Sequence, residues 1–232
     1  MKTLYRKIKN VKRRFNNPHL KKSIKANYKW YGSPYGGFFC CPDLLNSQSI
    51  VYSFGLGEDI TFDKAIIEKH DCQVFGFDPT PKSLAWLNTQ KIPKGFKYYN
   101  FGIGIDSGDV NFFLPKNPDY VSGSIVVQTN INPEETITIK VKSFSDITKY
   151  LGHKKIDVLK MDIEGIEYAL IDSIVGTDII INQILIEFHD RFFEDGKLKT
   201  KNAVNKLKSH GFEIFAVSPT YEEVSFINKN TI

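Results

Sequence analysis

The sequence predicts a doubly wound α/β fold, built on a mostly parallel sheet of about seven strands with an antiparallel final strand. The first reason is that short apolar runs, rich in β-branched and aromatic residues, recur at the length of buried strands. The second is that segments with apolar residues at helical spacing alternate with these runs. The third is that no internal repeat or low-complexity linker divides the 232 residues.

The first strand and its helix form the start of a βαβ unit. The apolar run Ile50–Phe54 ends at Gly55 and Gly57, and apolar residues such as Phe62 and Ile66 then follow at helical spacing. In such a unit, the backbone N–H groups at the start of the helix face a ligand. A tight turn without a ligand is the alternative interpretation of the two glycines.

The residues after the glycines favour one cofactor over another. A dinucleotide-binding turn has a third glycine where this chain has Ile60, and Glu58 and Asp59 would repel a pyrophosphate. S-adenosylmethionine carries a sulfonium and an ammonium group and no phosphate, so the acidic turn suits it. The second strand, Gln73–Phe77, ends in Asp78, which is placed to accept hydrogen bonds from ribose hydroxyls.

The remaining elements follow from the same patterns. The predicted segments, in chain order, are a helix with Leu84, Trp86 and Leu87, a strand at Phe96–Phe101, added strands at Asp109–Leu114, Ser124–Gln128 and Thr136–Val141, a helix capped by Ser143, a strand at Ile156–Met161, a helix from Glu167, a strand at Ile184–Phe188, a helix at Leu198–His210, and final strands at Phe212–Val217 and Val224–Asn228. Gly102 follows the third core strand, where a glycine lets an adenine approach; a glycine needed only for the next turn is the alternative.

Cysteine content and hydropathy predict a cytoplasmic protein. The three cysteines are an odd number, and Cys40 and Cys41 are adjacent, which disfavours a disulfide between them. No apolar run approaches the roughly 20 residues of a membrane-spanning helix, and no signal-peptide core follows the basic start.

Positive charge is concentrated in a predicted N-terminal arm, residues 1–31, ahead of a domain spanning residues 32–232. Residues 1–42 contain no Asp or Glu, and the formal net charge of +5 comes from this arm. A basic amphipathic helix within residues 1–25 would bind an anionic membrane surface or an anionic substrate, or pack on the domain. Nucleic acid is not favoured, because no known aromatic and basic module is present.

An aromatic, glycine-rich segment, Tyr28–Pro42, precedes the first core strand. Such a loop folds over a pocket in some proteins, and Tyr35 and Trp30 would then offer flat faces to a sugar or a cofactor ring. We therefore assign Tyr35 to the substrate side. A packed connection without a ligand is the alternative.

Five motifs resemble one family. They are, in chain order, VYSFGLGEDITFD, FGFDPTPKS, FLPKNPDYVSGS, LKMDIEGIEYALI and QILIEFHDRF. In this order and spacing they resemble the FkbM-type family of S-adenosylmethionine-dependent methyltransferases, and the resemblance runs from about Tyr35 to Phe226. The resemblance implies the Rossmann-like class I methyltransferase fold and O-methylation of hydroxyls on sugars, glycans or lipid-linked saccharides. It implies cofactor contacts at Gly55, Gly57, Glu58, Asp59 and Asp78, to which we add the neighbouring Phe54, Pro79, Thr80, Gly102 and Asp162. It also implies that Asp162, Glu164 and His189 border the substrate.

The chemistry of methyl transfer to a hydroxyl indicates the catalytic candidates. The acceptor needs a base, because its own pKa lies far above neutrality. Asp162 and His189 follow adjacent central strands, where open α/β sheets build their sites. His189 is the predicted base by its ordinary pKa near 6.5, oriented by Asp162 or Glu187. The alternatives are a structural His189 and an Asp162 that caps the following helix.

Two further questions stay open in the sequence. Asp162, Glu187 and His189 have the ligand types of a divalent metal site, but they form no closely spaced motif, so a metal is not favoured. The alternative functions are an RNA methyltransferase, suggested by the basic arm, and a binding protein without catalysis on the same scaffold.

Overall fold

The structure is a computed structural model that describes residue 13, residues 15–117 and residues 119–232. Most of the predicted amphipathic arm, residues 1–12 and 14, lies outside the described residues. Of the rest of that arm, Leu20 is buried in the core and the Ser23 N–H donates to the Ile214 carbonyl at 2.8 Å. The division at residue 31 stays a prediction. Among the described residues, no helix has the length and apolar content to cross a membrane.

The described part of the chain contains twelve strands and five α-helices. The strands are β1 (Lys29–Tyr31), β2 (Phe38–Cys40), β3 (Ile50–Phe54), β4 (Gln73–Phe77), β5 (Phe96–Tyr99), β6 (Gly102–Gly104), β7 (Gly108–Pro115), β8 (Ile131–Ser143), β9 (Lys155–Met161), β10 (Ile180–Glu187), β11 (Phe212–Val217) and β12 (Glu223–Asn228). The helices are α1 (Thr61–His70), α2 (Pro81–Leu87), α3 (Phe144–Leu151), α4 (Glu167–Val175) and α5 (Gly196–Ser209).

The main sheet has the order β11-β12-β10-β9-β3-β4-β5. Strands β5, β4, β3, β9 and β10 are parallel neighbours, and β12 runs antiparallel to both β10 and β11. This arrangement confirms the predicted doubly wound sheet with seven strands and an antiparallel final strand. The parallel strands end at one edge of the sheet. There the glycine turn follows β3, Asp162 and Glu164 follow β9, and Glu187 ends β10.

Both faces of the sheet are covered, because the central strands are apolar on both sides. On one face, Tyr52 and Leu159 pack in a cluster with buried residues of α3, α4 and α5. On the other face, Val51 and Val158 pack with α1 and with the β1–β2 hairpin. The buried strands are therefore continuous apolar runs, which is why the sequence predicts them well.

A separate three-stranded sheet, in the order β6-β8-β7, lies beyond β5. The predicted strand Ser124–Gln128 is wrong: this stretch makes only an isolated bridge from Ser124 to Phe113. Its polar side chains are used differently, since the Ser124 hydroxyl and the Gln128 amide both donate to the Glu164 carbonyl oxygen, at 2.8 Å and 3.2 Å. The segment thus connects the added sheet to the edge of the main sheet.

Candidate functional site

A pocket lies at the carboxyl edge of the parallel strands, between the glycine turn and the added sheet. Its lining includes every residue predicted to contact the cofactor: Phe54, Gly55, Gly57, Glu58, Asp59, Asp78, Pro79, Thr80, Gly102 and Asp162. Tyr35 and Glu164, predicted on the substrate side, also line it. His189 and Glu187 are not in the lining and lie behind Asp162 and Glu164. The contacts assigned to these residues stay predictions.

The glycine turn has a backbone that requires glycine. Gly55 has φ 76° and Gly57 has φ 52°, both in the left-handed region. A Cβ atom on Gly55 would overlap the carbonyl oxygen of Asp162, the residue that follows the neighbouring strand β9. The close approach of these two strand ends therefore depends on Gly55.

Asp78 holds the glycine turn in shape. One of its carboxylate oxygens accepts from the N–H groups of Leu56 and Gly57 at 3.0 Å and 2.9 Å. The other accepts from the N–H and the hydroxyl of Thr80 at 2.9 Å and 2.6 Å. Because these four bonds use the lone pairs of both oxygens, a ribose contact requires the Thr80 hydroxyl to rotate away. The ribose assignment stays a prediction, and the turn-holding contact is a role that the sequence did not indicate.

Asp59 connects the turn to the aromatic loop. Its carboxylate accepts from the Ser33 hydroxyl and the Thr61 N–H, each at 2.7 Å. Partial burial acts to raise the pKa of Asp59, but these hydrogen bonds outweigh it and lower the pKa. Glu58, by contrast, is exposed at the pocket wall. Of the two acidic residues of the turn, Glu58 is thus the one free to face a cationic ligand.

Lys160 is a buried cation below the turn that the sequence interpretation missed. It is 3% exposed, and its ammonium donates to the Gly55 carbonyl at 3.0 Å and lies 5.3 Å from the Phe38 ring centre. The neighbouring Asp63 is also buried; burial raises the pKa of Asp63, and the Lys160 charge offsets this only in part. The sequence does contain a signal for this burial, because Lys160 lies within the apolar run of β9, and a lysine in a buried strand needs a specific partner.

The chain makes a tight turn after β9, and two residues of this turn have left-handed backbone conformations. Glu164 has φ 54° and Gly165 has φ 104°. Helix α4 begins only at Glu167, with Ile166 at its N-cap, so the alternative role of Asp162 as a helix cap is wrong. Instead, Asp162 ends the strand ladder, where its N–H donates to the Phe54 carbonyl at 3.1 Å. A non-glycine residue in the left-handed region costs about 1–2 kcal/mol, and such strain is common at functional sites.

His189 is buried behind this turn and is held by Glu167. One Glu167 carboxylate oxygen lies 3.2 Å from Nδ1 and also accepts from the His189 N–H at 3.0 Å, while the other accepts from the Gly165 N–H at 2.8 Å. The Phe192 ring stacks on the imidazole, with ring centres 5.4 Å apart. The prediction that Asp162 or Glu187 orients His189 is therefore corrected: Glu167 orients it from the Nδ1 side.

Three carboxylates face the other side of the ring. Oxygens of Asp162, Glu164 and Glu187 lie 3.6, 3.4 and 3.5 Å from Nε2. Burial lowers the pKa of His189, but the charges of Glu167, Glu164 and Asp162 outweigh it and raise the pKa to about 10. The raised pKa favours the protonated ring, which disfavours His189 as a general base, and the assignment of that role to His189 stays a prediction.

The carboxylates of this group are themselves perturbed. Burial, followed by the Asp162 charge, raises the pKa of Glu187 to about 8. Burial also raises the pKa of Glu164, against the effect of His189. Tyr35 lies at the same end of the pocket, where desolvation and the charges of Asp162 and Glu164 raise the pKa of its hydroxyl. Several ionisable groups thus meet at one end of the pocket, as they do in catalytic sites.

The comparisons with known proteins agree on one kind of domain. The family model described as "Methyltransferase FkbM domain" matches residues 50–214. The chain is 28% identical to the human "Probable methyltransferase-like protein 24" over 148 residues, which is 63% of this chain and 34% of that protein. It is 27% identical to the "Hexuronic acid methyltransferase AglP" of Haloferax volcanii over 118 residues, which is 50% of this chain and 47% of that protein.

These matches leave part of each relative uncovered. The aligned region spans about a third of the human relative and about half of the archaeal one. Among solved structures, the Methanococcus jannaschii fibrillarin pre-rRNA processing protein matches with a TM-score of 0.47 at 12% identity, covering 79% of this chain and 68% of that one. A likeness at that level carries no argument about function.

Proposed function

The chain belongs to the FkbM methyltransferase family, and we propose that it transfers a methyl group from S-adenosylmethionine to a hydroxyl of a sugar, a glycan or a lipid-linked saccharide. S-adenosylmethionine is the cofactor of this family. The archaeal relative is named as a hexuronic acid methyltransferase, and this supports a sugar as the acceptor. The observation that carries the proposal is one pocket that joins the glycine turn to a group of carboxylates.

The residues of the pocket fit this cofactor. The turn exposes the Glu58 carboxylate rather than a basic side chain, and Lys160, which also lines the pocket, donates its ammonium to the Gly55 carbonyl. A cationic sulfonium ligand is favoured by such a lining, whereas a pyrophosphate is disfavoured. Gly102, whose missing Cβ would lie 3.1 Å from the Pro79 ring, leaves room on the opposite wall for the adenine.

The chemical step follows from the position of the carboxylates. Bound S-adenosylmethionine supplies a sulfonium methyl carbon, which the acceptor oxygen attacks as the carbon–sulfur bond breaks and its electron pair stays on sulfur. Asp162 lines the pocket where the acceptor would lie, and Glu187 lies next to it, so one of these carboxylates receives the hydroxyl proton. Alignment of donor and acceptor contributes about 7–11 kcal/mol in well-oriented reactions.

The transfer assay tests the proposal. Full-length protein with isotopically labelled S-adenosylmethionine should label hexoses, hexuronic acids or lipid-linked saccharides, and not RNA. Asp162→Asn should lower the rate by roughly 10²–10⁴-fold, the usual contribution of acid–base catalysis. Labelled RNA with no labelled saccharide would replace this function by the RNA alternative, and no labelled product from any acceptor would favour a binding protein.

A binding measurement is the control for that assay. Calorimetry should show binding of S-adenosylhomocysteine, the demethylated product, and no binding of NAD, because Ile60 replaces the third glycine and Glu58 faces the pocket. Binding of NAD without any response to S-adenosylhomocysteine would contradict the cofactor assignment itself.

Asp78→Asn tests the role of the turn. The carboxamide places an N–H₂ group against backbone or hydroxyl donors, so at least one buried donor loses its partner, at a cost of about 1–3 kcal/mol. We expect this loss in urea unfolding, together with weaker binding of S-adenosylhomocysteine in calorimetry. Asp71→Asn is the matched control, since Asp71 is exposed at φ 52°, a conformation that asparagine tolerates. Equal behaviour of the two variants would show that the turn does not need the Asp78 carboxylate.

A further inference from the structure

The imidazole of His189 has one unsatisfied nitrogen that faces the acidic end of the pocket. The side chain is 1% exposed, and among the described residues Nε2 and the Oε2 atom of Glu164 have no hydrogen-bond partner. The carboxylate oxygens around Nε2, from Glu164, Glu187 and Asp162, are 3.4, 3.5 and 3.6 Å away. These distances exceed the usual 2.7–3.2 Å of an N–H···O bond. Buried polar atoms of this kind need a partner of another type.

The spacing of these atoms fits ligands around a cation. One ligand atom from each of Asp162, Glu164 and His189 lies within 4.8 Å of the others. Two ligands at about 2.1 Å from an ion, at octahedral or tetrahedral angles, lie roughly 3.0–3.4 Å apart. The separations from Nε2 to the Asp162 and Glu164 carboxylates are therefore only slightly longer than those between two ligands of a bound ion.

The other nitrogen of the His189 ring is held by a carboxylate, as is usual for a metal-binding histidine. Such a histidine bonds through one nitrogen to the ion and through the other to a carboxylate, which fixes the direction of the ring. Here Glu167, fully buried, binds Nδ1 at 3.2 Å and leaves Nε2 directed at Asp162 and Glu164. The same carboxylate bonds the Gly165 N–H, which ties the ring to the turn that carries Glu164.

We propose that Asp162, Glu164 and His189 Nε2 bind one divalent transition-metal cation, of the type of Mn²⁺, which replaces the proton on Nε2 when it binds. Mixed carboxylate and imidazole ligands suit such ions better than they suit Ca²⁺, which takes oxygen ligands. Asp162 and Glu164 also line the pocket, so the open coordination positions face the acceptor. The role of the ion rests on the proposed function: it binds the acceptor hydroxyl and lowers its pKa, and the proton leaves to Glu187, which is not one of the three ligands. Binding of the ion does not depend on that role.

Titration of the full-length, metal-free protein with Mn²⁺ alone tests the inference. Electron paramagnetic resonance of free Mn²⁺, or calorimetry, should show one ion bound per chain. Glu164→Gln and Asp162→Asn should each weaken the affinity by about tenfold or more. Both side chains are partly exposed, at 19% and 26%, so these variants are expected to fold, which circular dichroism checks.

Glu222→Gln is the matched control. The Glu222→Gln change removes one negative charge, as Glu164→Gln does, and at the same edge of the sheet. The Glu222 carboxylate, however, pairs with Arg191 at 3.2 Å and not with His189. The affinity of the Glu222→Gln protein for Mn²⁺ should stay within about twofold of the wild-type affinity. No Mn²⁺ binding by the wild type, or equal affinity of Glu164→Gln and Glu222→Gln, would overturn the inference.

The two proposals fail in different ways. Undiminished methyl transfer in the presence of EDTA, by a protein that binds no Mn²⁺, would overturn the metal site and leave the proposed function in place. Binding of Mn²⁺ that is lost in Glu164→Gln, by a protein that methylates no acceptor, would support the metal site and overturn the function.

Discussion

Replacing Gly55 by alanine is expected to lower the free energy of unfolding by about 2–5 kcal/mol and to abolish measurable binding of S-adenosylhomocysteine. The left-handed backbone at φ 76° costs an alanine about 1–2 kcal/mol. The new methyl group also overlaps the Asp162 carbonyl oxygen, and relief of such crowding costs a further 1–3 kcal/mol or so. Because strands β3 and β9 must separate to admit it, the pocket between them changes shape. Urea unfolding and calorimetry measure the two effects.

Gly152→Ala separates the two causes. Gly152 ends helix α3 at φ 73°, nearly the same conformation, but a Cβ atom there meets no atom within 4 Å. This variant should lose only the backbone contribution of about 1–2 kcal/mol and should bind S-adenosylhomocysteine like the wild type. If the two variants lose equal stability and both keep the ligand, the contact of Gly55 with Asp162 does not hold the site together.

The second large effect is expected at Glu167, where Glu167→Gln should lower the free energy of unfolding by about 3–5 kcal/mol. The carboxylate is fully buried and accepts three bonds, from the Gly165 N–H, the His189 N–H and His189 Nδ1. A carboxamide keeps the shape but directs two hydrogens at these donors. It also leaves the His189 charge without its buried partner, and that loss is the main part of the cost.

Glu194→Gln is the control for this change of charge. Glu194 is exposed, and the Glu194→Gln change should alter the unfolding free energy by no more than about 0.5 kcal/mol. Chemical denaturation of both variants at neutral pH compares them directly. A Glu167→Gln protein as stable as Glu194→Gln would mean that the pairing with His189 contributes little.

The parts of the fold that the sequence predicted are those in which one segment carries its own signal. Buried parallel strands such as Ile156–Met161 are apolar on both faces, and the turn at Gly55 and Gly57 breaks an apolar run, so both can be recognised locally. The candidate cofactor residues line one pocket because the carboxyl ends of parallel strands share an edge.

The parts that could not be predicted depend on partners distant in the chain. Glu167 is an ordinary first-turn helix residue in the sequence, and only the fold places it under His189, 22 residues later. Likewise, Ser124–Gln128 has the composition of a strand, but its polar groups bond the strained Glu164 backbone. The raised pKa of His189 follows from three carboxylates, of which Asp162 and Glu164 lie in the turn after β9 and Glu167 begins α4.

The three-stranded sheet β6-β8-β7 places one wall of the pocket in a single part of the chain. Together with its connecting loop, it is a single uninterrupted stretch, residues 102–143, and it supplies Val121, Ser122, Gly123 and Ile125 to the pocket wall facing the glycine turn. Except for Gly102, the predicted donor contacts lie in other stretches, at β3, β4 and β9. A substitution or insertion within this one stretch therefore alters this wall of the pocket, while the lining residues that come from β3, β4, β9 and the turns after them stay unchanged.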